Sequence, residues 1–130
     1  MSNRSYTRVC VSGYFDPFHV GHCEYLKNAK QLGDHLIVVL NNDSQIRHTR
    51  MPQNERKIIL ESIRYVDEVI LSHDSGPSVC ETIREIKPDI FAKGLCASEE
   101  EVKVCEELDI QIITHVGQML HLHDIMNEFR

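Results

Sequence analysis

The segment from Val9 to Lys30 constrains the fold more than any other part of the chain. Its apolar start, Val9 to Val11, stops at Ser12-Gly13 and is followed by Asp16-Pro17 and then by an amphipathic stretch. This order predicts a β-strand, a glycine-containing turn and an α-helix. A helix that begins at the carboxyl end of a strand presents unpaired N–H groups and a partial positive charge there, which favours a bound phosphate.

Two histidines lie at the start of this predicted helix, in the sequence His19-Val20-Gly21-His22. Because Gly21 has no side chain, the backbone can approach a phosphate ligand closely, and both imidazoles can face it. A phosphate monoester is largely dianionic at neutral pH and needs no base, whereas charge that builds on an attacked α-phosphate needs hydrogen-bond donors. We therefore expect His19 and His22 to be catalytic. The turn N–H groups expected to hold phosphate are those of Gly13, Tyr14 and Phe15.

Apolar runs of strand length alternate with helical periodicity along the rest of the chain. Four further strands are predicted, at 35–40, 68–71, 89–93 and 110–114. Helices are expected after Pro52, after Pro77 or Ser78, from the capping box Ser98-Glu99-Glu100-Glu101 onwards, and over residues 122–129. Strand alternating with helix implies a doubly wound, Rossmann-like α/β domain over residues 1–130, with a five-stranded parallel sheet.

The residues after each strand are the next candidates, since ligands bind beyond the carboxyl ends of such strands. Asp43 follows the second strand, and Lys93 and Gly94 follow the fourth. Arg47 and Arg50 come soon after Asp43, where two cations could gather phosphates. Lys93, Gly94, Arg47 and Arg50 are therefore predicted to bind the nucleotide.

Some of these candidates also have a purely structural alternative. We expect Asp16 to contact substrate, but it precedes Pro17 and could form only an Asx turn. Asp43 is likewise expected to bind substrate, but it could serve only as the N-cap of the following helix. His19 and His22 could do no more than cap the helix they begin.

The stretch from Gly13 to His22, G-Y-F-D-P-F-H-V-G-H, resembles the signature of the nucleotidyltransferases with a His-x-Gly-His motif. The resemblance is strongest to the small cytidylyltransferases that act on glycerol 3-phosphate, phosphocholine or phosphoethanolamine. Three later stretches agree: N-N-D at 41–43, E-R-K-I-I-L-E-S-I-R-Y-V-D-E-V-I at 55–70, and P-D-I-F-A-K-G at 88–94.

This resemblance, which covers residues 7 to about 116, implies a reaction and a set of partners. CMP would pass from CTP to a small phosphorylated alcohol, with release of pyrophosphate. Mg²⁺ would accompany the triphosphate, Arg56 would belong to the phosphate-binding residues, and the chain would form a homodimer.

Two stretches depart from the pattern of this family. Where relatives resemble Gly-Gly-Asp after the fourth strand, this chain has Gly94-Leu95-Cys96 and lacks the acidic residue that often helps to fix base or ribose. Relatives usually carry a Ser/Thr-rich segment at the start of the last helix, and residues 117–126 here, G-Q-M-L-H-L-H-D-I-M, contain no hydroxyl group. Two alternatives therefore stay open: an adenylyltransferase that uses ATP, and a non-catalytic nucleotide-binding module.

The composition restricts the partners further. A net charge of −6 without a basic stripe argues against a polymeric nucleic acid. No apolar run approaches the roughly 18 residues of a membrane span, and the first residues lack the apolar core of a signal peptide, so we expect a cytoplasmic protein with no membrane partner. The five cysteines are odd in number and show no C-x-x-C pair. They predict neither a disulfide framework nor a protein metal site.

Overall fold

A five-stranded parallel sheet organises the computed structural model, which describes residues 6–45 and 51–116. The strands are β1 (Arg8–Gly13), β2 (His35–Leu40), β3 (Glu68–Leu71), β4 (Ile90–Ala92) and β5 (Gln111–Ile113). The helices are α1 (Val20–Lys30), α2 (Gln53–Glu61), α3 (Cys80–Ile86) and α4 (Glu99–Leu108), and a 3₁₀ turn covers Asp43–Gln45. All strand pairs are parallel, which confirms the predicted Rossmann-like α/β fold.

The strand order is β3-β2-β1-β4-β5, so β1 lies at the centre of the sheet. In register, Val9 of β1 lies between Leu36 of β2 and Ile90 of β4. After β1 the chain moves to β2 on one side, whereas β4 adds on the other side. The order therefore reverses between β1 and β4, and in open parallel sheets ligands bind at the carboxyl ends of strands at this point.

Helices cover both faces of the sheet. Alternate strand residues point to opposite faces, which divides the core into two apolar clusters. The first cluster lies beneath α1 and α2 and includes Val9, Val11, Leu36, Val38, Leu40, Leu26 and Leu60. The second lies beneath α3 and α4 and includes Cys10, Ile37, Val39, Phe91, Ile83 and Val104. Because β1 and β2 are buried on both faces, their sequences read as continuous apolar runs.

Helix α3 begins at Cys80, two or three residues later than the Pro77 or Ser78 start that the sequence predicted. The side chain that receives its first N–H groups lies well upstream. Asp74 is buried, and its carboxylate accepts two N–H groups of the first helical turn at 2.8 and 3.1 Å. Asp74 belongs to the loop after β3. The first residue of α3 is therefore set by this carboxylate and not by the local sequence around Pro77.

Helix α4 begins with the predicted capping box. The Ser98 hydroxyl accepts the Glu101 N–H at 3.2 Å, and the Glu101 carboxylate accepts the Ser98 N–H at 2.8 Å. The helix predicted over residues 122–129 lies outside the described residues.

The five cysteines are free thiols, and Cys10, Cys80 and Cys105 are buried in the core. Within residues 6–45 and 51–116, no helix has the length and apolar character needed to cross a bilayer.

Candidate active site

The turn after β1 is fixed by the packing of one aromatic ring. Phe15 is 3% exposed and adopts a left-handed backbone conformation, with φ of 52°. Its ring lies so close to Gly13 that a Cβ atom there would be only 3.0 Å from the ring edge. The missing side chain at Gly13 therefore lets the Phe15 ring fold back against the end of β1.

The two histidines cap helix α1 through their Nδ1 atoms. His19 is the N-cap residue, and its Nδ1 accepts the Gly21 N–H at 3.0 Å. His22 Nδ1 accepts the His19 N–H at 3.2 Å. An Nδ1 atom that accepts a hydrogen bond carries no proton, so these bonds assign the Nε2–H tautomer to both neutral rings. Capping therefore uses one nitrogen of each ring and leaves a donor on the other.

The two imidazole rings are stacked, with centroids 3.8 Å apart and planes at 26°. Phe15 packs its ring against His22 at 4.8 Å in an edge-to-face arrangement, and Phe18 lies 5.4 Å from His22. Partial burial disfavours the charged form of His22 and, together with the neighbouring His19, lowers its pKa from 6.5 to about 4. His22 is thus a neutral hydrogen-bond donor at neutral pH.

This arrangement can stabilise an anion that gains charge during a reaction. In the described part of the chain, neither Nε2 of His19 or His22 has a hydrogen-bond partner. Both donors lie at the amino end of α1, where the helix dipole also favours negative charge. The predicted catalytic role and the capping alternative therefore do not compete. The same two rings can serve both.

Arg56 joins three segments around this turn, although it lies on α2. Its side chain is fully buried, and its Nε donates to the Met51 carbonyl at 2.9 Å. Nη1 donates to the carbonyls of Tyr14 and Asn41, both at 2.8 Å, and Nη2 to Asp43 Oδ1 at 2.7 Å. The structure thus brings together three residues of the predicted site: Tyr14, Asp43 and Arg56. The phosphate-binding role of Arg56 stays a prediction.

The two candidate aspartates both hold the start of α2. Asp43 Oδ2 accepts the Gln53 N–H at 3.2 Å, and Gln53 Oε1 accepts the Asp43 N–H at 2.9 Å. Asp16 Oδ1 accepts the Met51 N–H at 2.9 Å. The N-cap residue of α2 is Pro52, so the expected alternative that Asp43 is this N-cap is wrong, although Asp43 accepts the first N–H of the helix from ten residues upstream. Contact of either aspartate with substrate stays a prediction. Gln53 was missed, because only the folded loop brings it to Asp43.

Lys93 follows β4 as predicted, but its ammonium group pairs with Glu101 Oε2 at 2.7 Å. Burial raises the pKa of Glu101, but the bonds from Lys93 and Ser98 outweigh it, so this pKa lies below its usual value. Lys93 Nζ also lies 5.3 Å from the Phe91 ring centroid, on the α3 and α4 face of the sheet. The histidine pair belongs to α1, which covers the other face. Sequence reasoning recognised Glu101 only as a capping residue.

Of the remaining candidate residues, the two glycines lie within the described structure and the two arginines do not. A Cβ atom at Gly94 would lie no closer than 3.9 Å to its nearest neighbour, the Tyr25 ring, so packing does not require glycine there. Gly21 is buried in the first turn of α1, between the two histidines. Arg47, Arg50 and the hydroxyl-free stretch 117–126 lie outside the described residues. Among those residues, no three His, Cys, Asp or Glu side chains converge as metal ligands.

A central strand that leads into two imidazole donors at a helix amino end is the arrangement expected of a nucleotidyltransferase of the Rossmann-like α/β class. A family model described as cytidylyltransferase-like matches residues 10–122. The chain belongs to this cytidylyltransferase-like family, which confirms the resemblance drawn from the sequence.

Similar proteins carry two different descriptions. The FAD synthase of Pyrococcus abyssi is 39% identical over 99 residues, which cover 72% of this chain and 66% of that protein. The FAD synthase of Thermococcus kodakarensis is 37% identical over 117 residues, 86% of this chain and 75% of the relative. A solved structure, a lipopolysaccharide core biosynthesis protein from Thermoplasma volcanium, has a TM-score of 0.74 at 31% identity. The match covers 84% of this chain and 95% of that one.

Proposed function

We propose that this nucleotidyltransferase transfers AMP from ATP to FMN, forming FAD and releasing pyrophosphate. The relatives named FAD synthase, 35 to 39% identical to this chain, support ATP as the donor in place of the CTP implied by the sequence resemblance. FMN is itself a phosphate monoester of an alcohol. The acceptor therefore stays within the class expected from the sequence, a phosphorylated alcohol.

The stacked pair of His19 and His22 is the observation that supports nucleotidyl transfer as the reaction. A phosphate oxygen of FMN attacks the α-phosphorus of ATP, and a new P–O–P bond forms. The bond from the α-phosphorus to the bridging oxygen breaks, and its electron pair leaves with pyrophosphate. Since the attacking phosphate is already deprotonated at neutral pH, no base is needed. The two Nε2–H groups stabilise the charge that builds on the α-phosphate and the leaving oxygen.

Mg²⁺ is expected to come with the triphosphate rather than to occupy a protein site. The described side chains form no cluster of metal ligands, and Mg²⁺ often keeps phosphate oxygens and water as most of its ligands. When bound it neutralises phosphate charge. The steps assigned to His19 and His22 do not pass through it.

The direct test is pyrophosphate release by the full chain, with Mg²⁺, from ATP or CTP. Each triphosphate is offered with FMN, glycerol 3-phosphate, phosphocholine or phosphoethanolamine, and FAD is separated by chromatography. We expect release only with ATP and FMN, at one pyrophosphate per FAD. Release with CTP and another alcohol phosphate would replace this proposal by the cytidylyltransferase alternative. Binding of ATP without release from any pair would favour the non-catalytic binding module.

Two histidine variants distinguish the loss of a catalytic imidazole from the loss of an imidazole outside the candidate site. His22→Ala should lower turnover by about 10²-fold or more, as the loss of one oxyanion-type donor does. His35→Ala is the matched control, because His35 begins β2 at the amino ends of the strands, away from the carboxyl ends where the candidate site lies, and pairs with Glu68 at 3.1 Å. Its turnover should equal that of the unmodified chain. Equal rates for the two variants would refute the role of His22.

The homodimer stays a prediction. Sedimentation equilibrium of the full chain, with and without ATP, would measure its mass directly.

A further inference from the structure

The peptide bond between Tyr14 and Phe15 lies in the turn predicted to hold phosphate. Arg56 Nη1 donates to its carbonyl oxygen at 2.8 Å. A trans peptide is planar, and its C=O and N–H groups point in opposite directions. The guanidinium therefore fixes the Phe15 N–H as well, and directs it away from Arg56. Among the described residues, no acceptor within hydrogen-bonding distance of the Phe15 N–H is found.

The guanidinium that fixes this peptide is itself held rigidly. Its other donors reach Asn41 and Asp43 after β2 and Met51 before α2, at 2.7 to 2.9 Å. These bonds use the fork of the guanidinium in one orientation, which a flexible ammonium could not reproduce. Arg56 thus ties the Tyr14 carbonyl to the end of β2 and to the start of α2.

Little of Arg56 remains for a ligand. A guanidinium has five N–H donors, and four of them already have partners at Tyr14, Asn41, Asp43 and Met51. The side chain is 0% exposed. Only one Nη2–H is left for a phosphate group, and the surrounding residues would have to move before a phosphate could reach it. These contacts favour an indirect role for Arg56 over the direct phosphate binding that the family resemblance implied.

The Phe15 N–H, in contrast, belongs to a residue that packs against His22. The two rings lie 4.8 Å apart, and the left-handed φ of 52° at Phe15 is a conformation that most side chains disfavour. Contacts on both sides of the residue hold this conformation: the ring packs into the core, and the preceding carbonyl binds Arg56.

We propose that Arg56 is a positioning residue, which acts through the Tyr14 carbonyl to present the Phe15 N–H to the phosphate that reacts. Its partner would be a phosphate oxygen of the nucleotide, next to the oxygens served by His19 and His22. This inference rests on the proposed nucleotidyl transfer and assigns a third donor to the same site.

The kinetic test compares Arg56→Lys with the matched control Arg64→Lys. Arg64 lies just after α2 and is exposed, and among the described residues its guanidinium contacts Tyr65, at 3.1 Å from the hydroxyl. In Arg56→Lys the Phe15 N–H should be misaligned, which should lower kcat by about 10²-fold and leave the KM for ATP nearly unchanged. The control should match the unmodified chain. A raised KM with unchanged kcat would mean that Arg56 binds phosphate directly and would overturn the proposal, as would unaltered kinetics.

A second measurement needs neither a variant nor turnover. Pyrophosphate is titrated into ¹⁵N-labelled full chain, and two resonances are followed, the Phe15 amide and the Arg56 Nε–H. We expect the Phe15 amide to shift towards lower field, as a hydrogen bond to phosphate forms, while Arg56 Nε–H keeps its position. The reverse result, or no shift of the Phe15 amide, would overturn the proposal. This outcome is independent of whether ATP and FMN react, so failure of the proposed function would be recognised separately.

Discussion

The lowered pKa of His22 gives a prediction that can be measured on a single ring. The fall from 6.5 to about 4 corresponds to about 3 kcal/mol in favour of the neutral ring, at about 1.4 kcal/mol per pKa unit. This is an upper value, because the ring is only half-buried and water screens part of the effect. Burial against Phe15 and Phe18 is the larger cause, and the neighbouring His19 is the smaller one.

The sign of the effect on stability follows from where the proton binds. An unfolded histidine takes up a proton as the pH falls through about 6.5, whereas folded His22 does so only near pH 4. The unfolded chain therefore binds more protons between these values, and the free energy of unfolding should fall as the pH is lowered from about 6.5 to about 4. Below this window the contribution of His22 is constant.

The assay is an NMR titration of the full chain with labelled histidine rings, with His22→Gln used to assign the resonance. We expect a midpoint near pH 4 and ring ¹⁵N shifts of the Nε2–H tautomer at neutral pH. In His19→Asn, which keeps an N-cap acceptor, the midpoint should rise only slightly because burial remains. Pyrophosphate should raise it, since an anion favours the imidazolium. A midpoint at or above 6.5 in the free chain would refute the assigned burial of His22.

Two further predictions concern stability. In Gly33→Ala, a Cβ atom would lie 2.7 Å from Val9 Cγ2 and 2.9 Å from the Thr7 carbonyl, so overpacking should lower the free energy of unfolding in urea by about 1–3 kcal/mol; an unchanged midpoint would contradict the close approach. Ser98→Ala removes the hydroxyl that accepts an N–H of α4 at 3.2 Å and should cost about 1 kcal/mol in thermal unfolding. The exposed Ser75→Ala is the control, and equal losses would mean that the cap contributes nothing.

The strands, and their alternation with helices, could be predicted because a strand that is buried on both faces has a continuous apolar sequence. The run from His35 to Leu40 has no polar interruption after its first residue, and it forms β2 with those bounds. The capping box at Ser98 was predicted equally well, because both of its partners lie within one helical turn. Signals of this kind are local and depend on backbone geometry that few residues set.

The contacts of the candidate site were not predictable in the same way. Lys93 was placed correctly after β4, but its partner Glu101 is supplied by the next helix. The resemblance placed Arg56 near phosphate, yet its four acceptors come from three segments that meet only in the folded chain. Positions along a strand can be read from periodicity, whereas the partner of a long charged side chain depends on the packing angle of the neighbouring helix.

The histidine cap of α1 has a consequence for how this protein could change over time. Active-site groups are commonly held at a cost to stability, so that replacing them yields a sturdier but inactive chain. Here Nδ1 of His19 and of His22 each accept a backbone N–H at the first turn of α1. Replacing either imidazole by an apolar side chain removes a helix cap along with a reactive donor. A lineage that lost catalysis would gain no stability by replacing these histidines with apolar residues, and the motif could persist in descendants that only bind nucleotide.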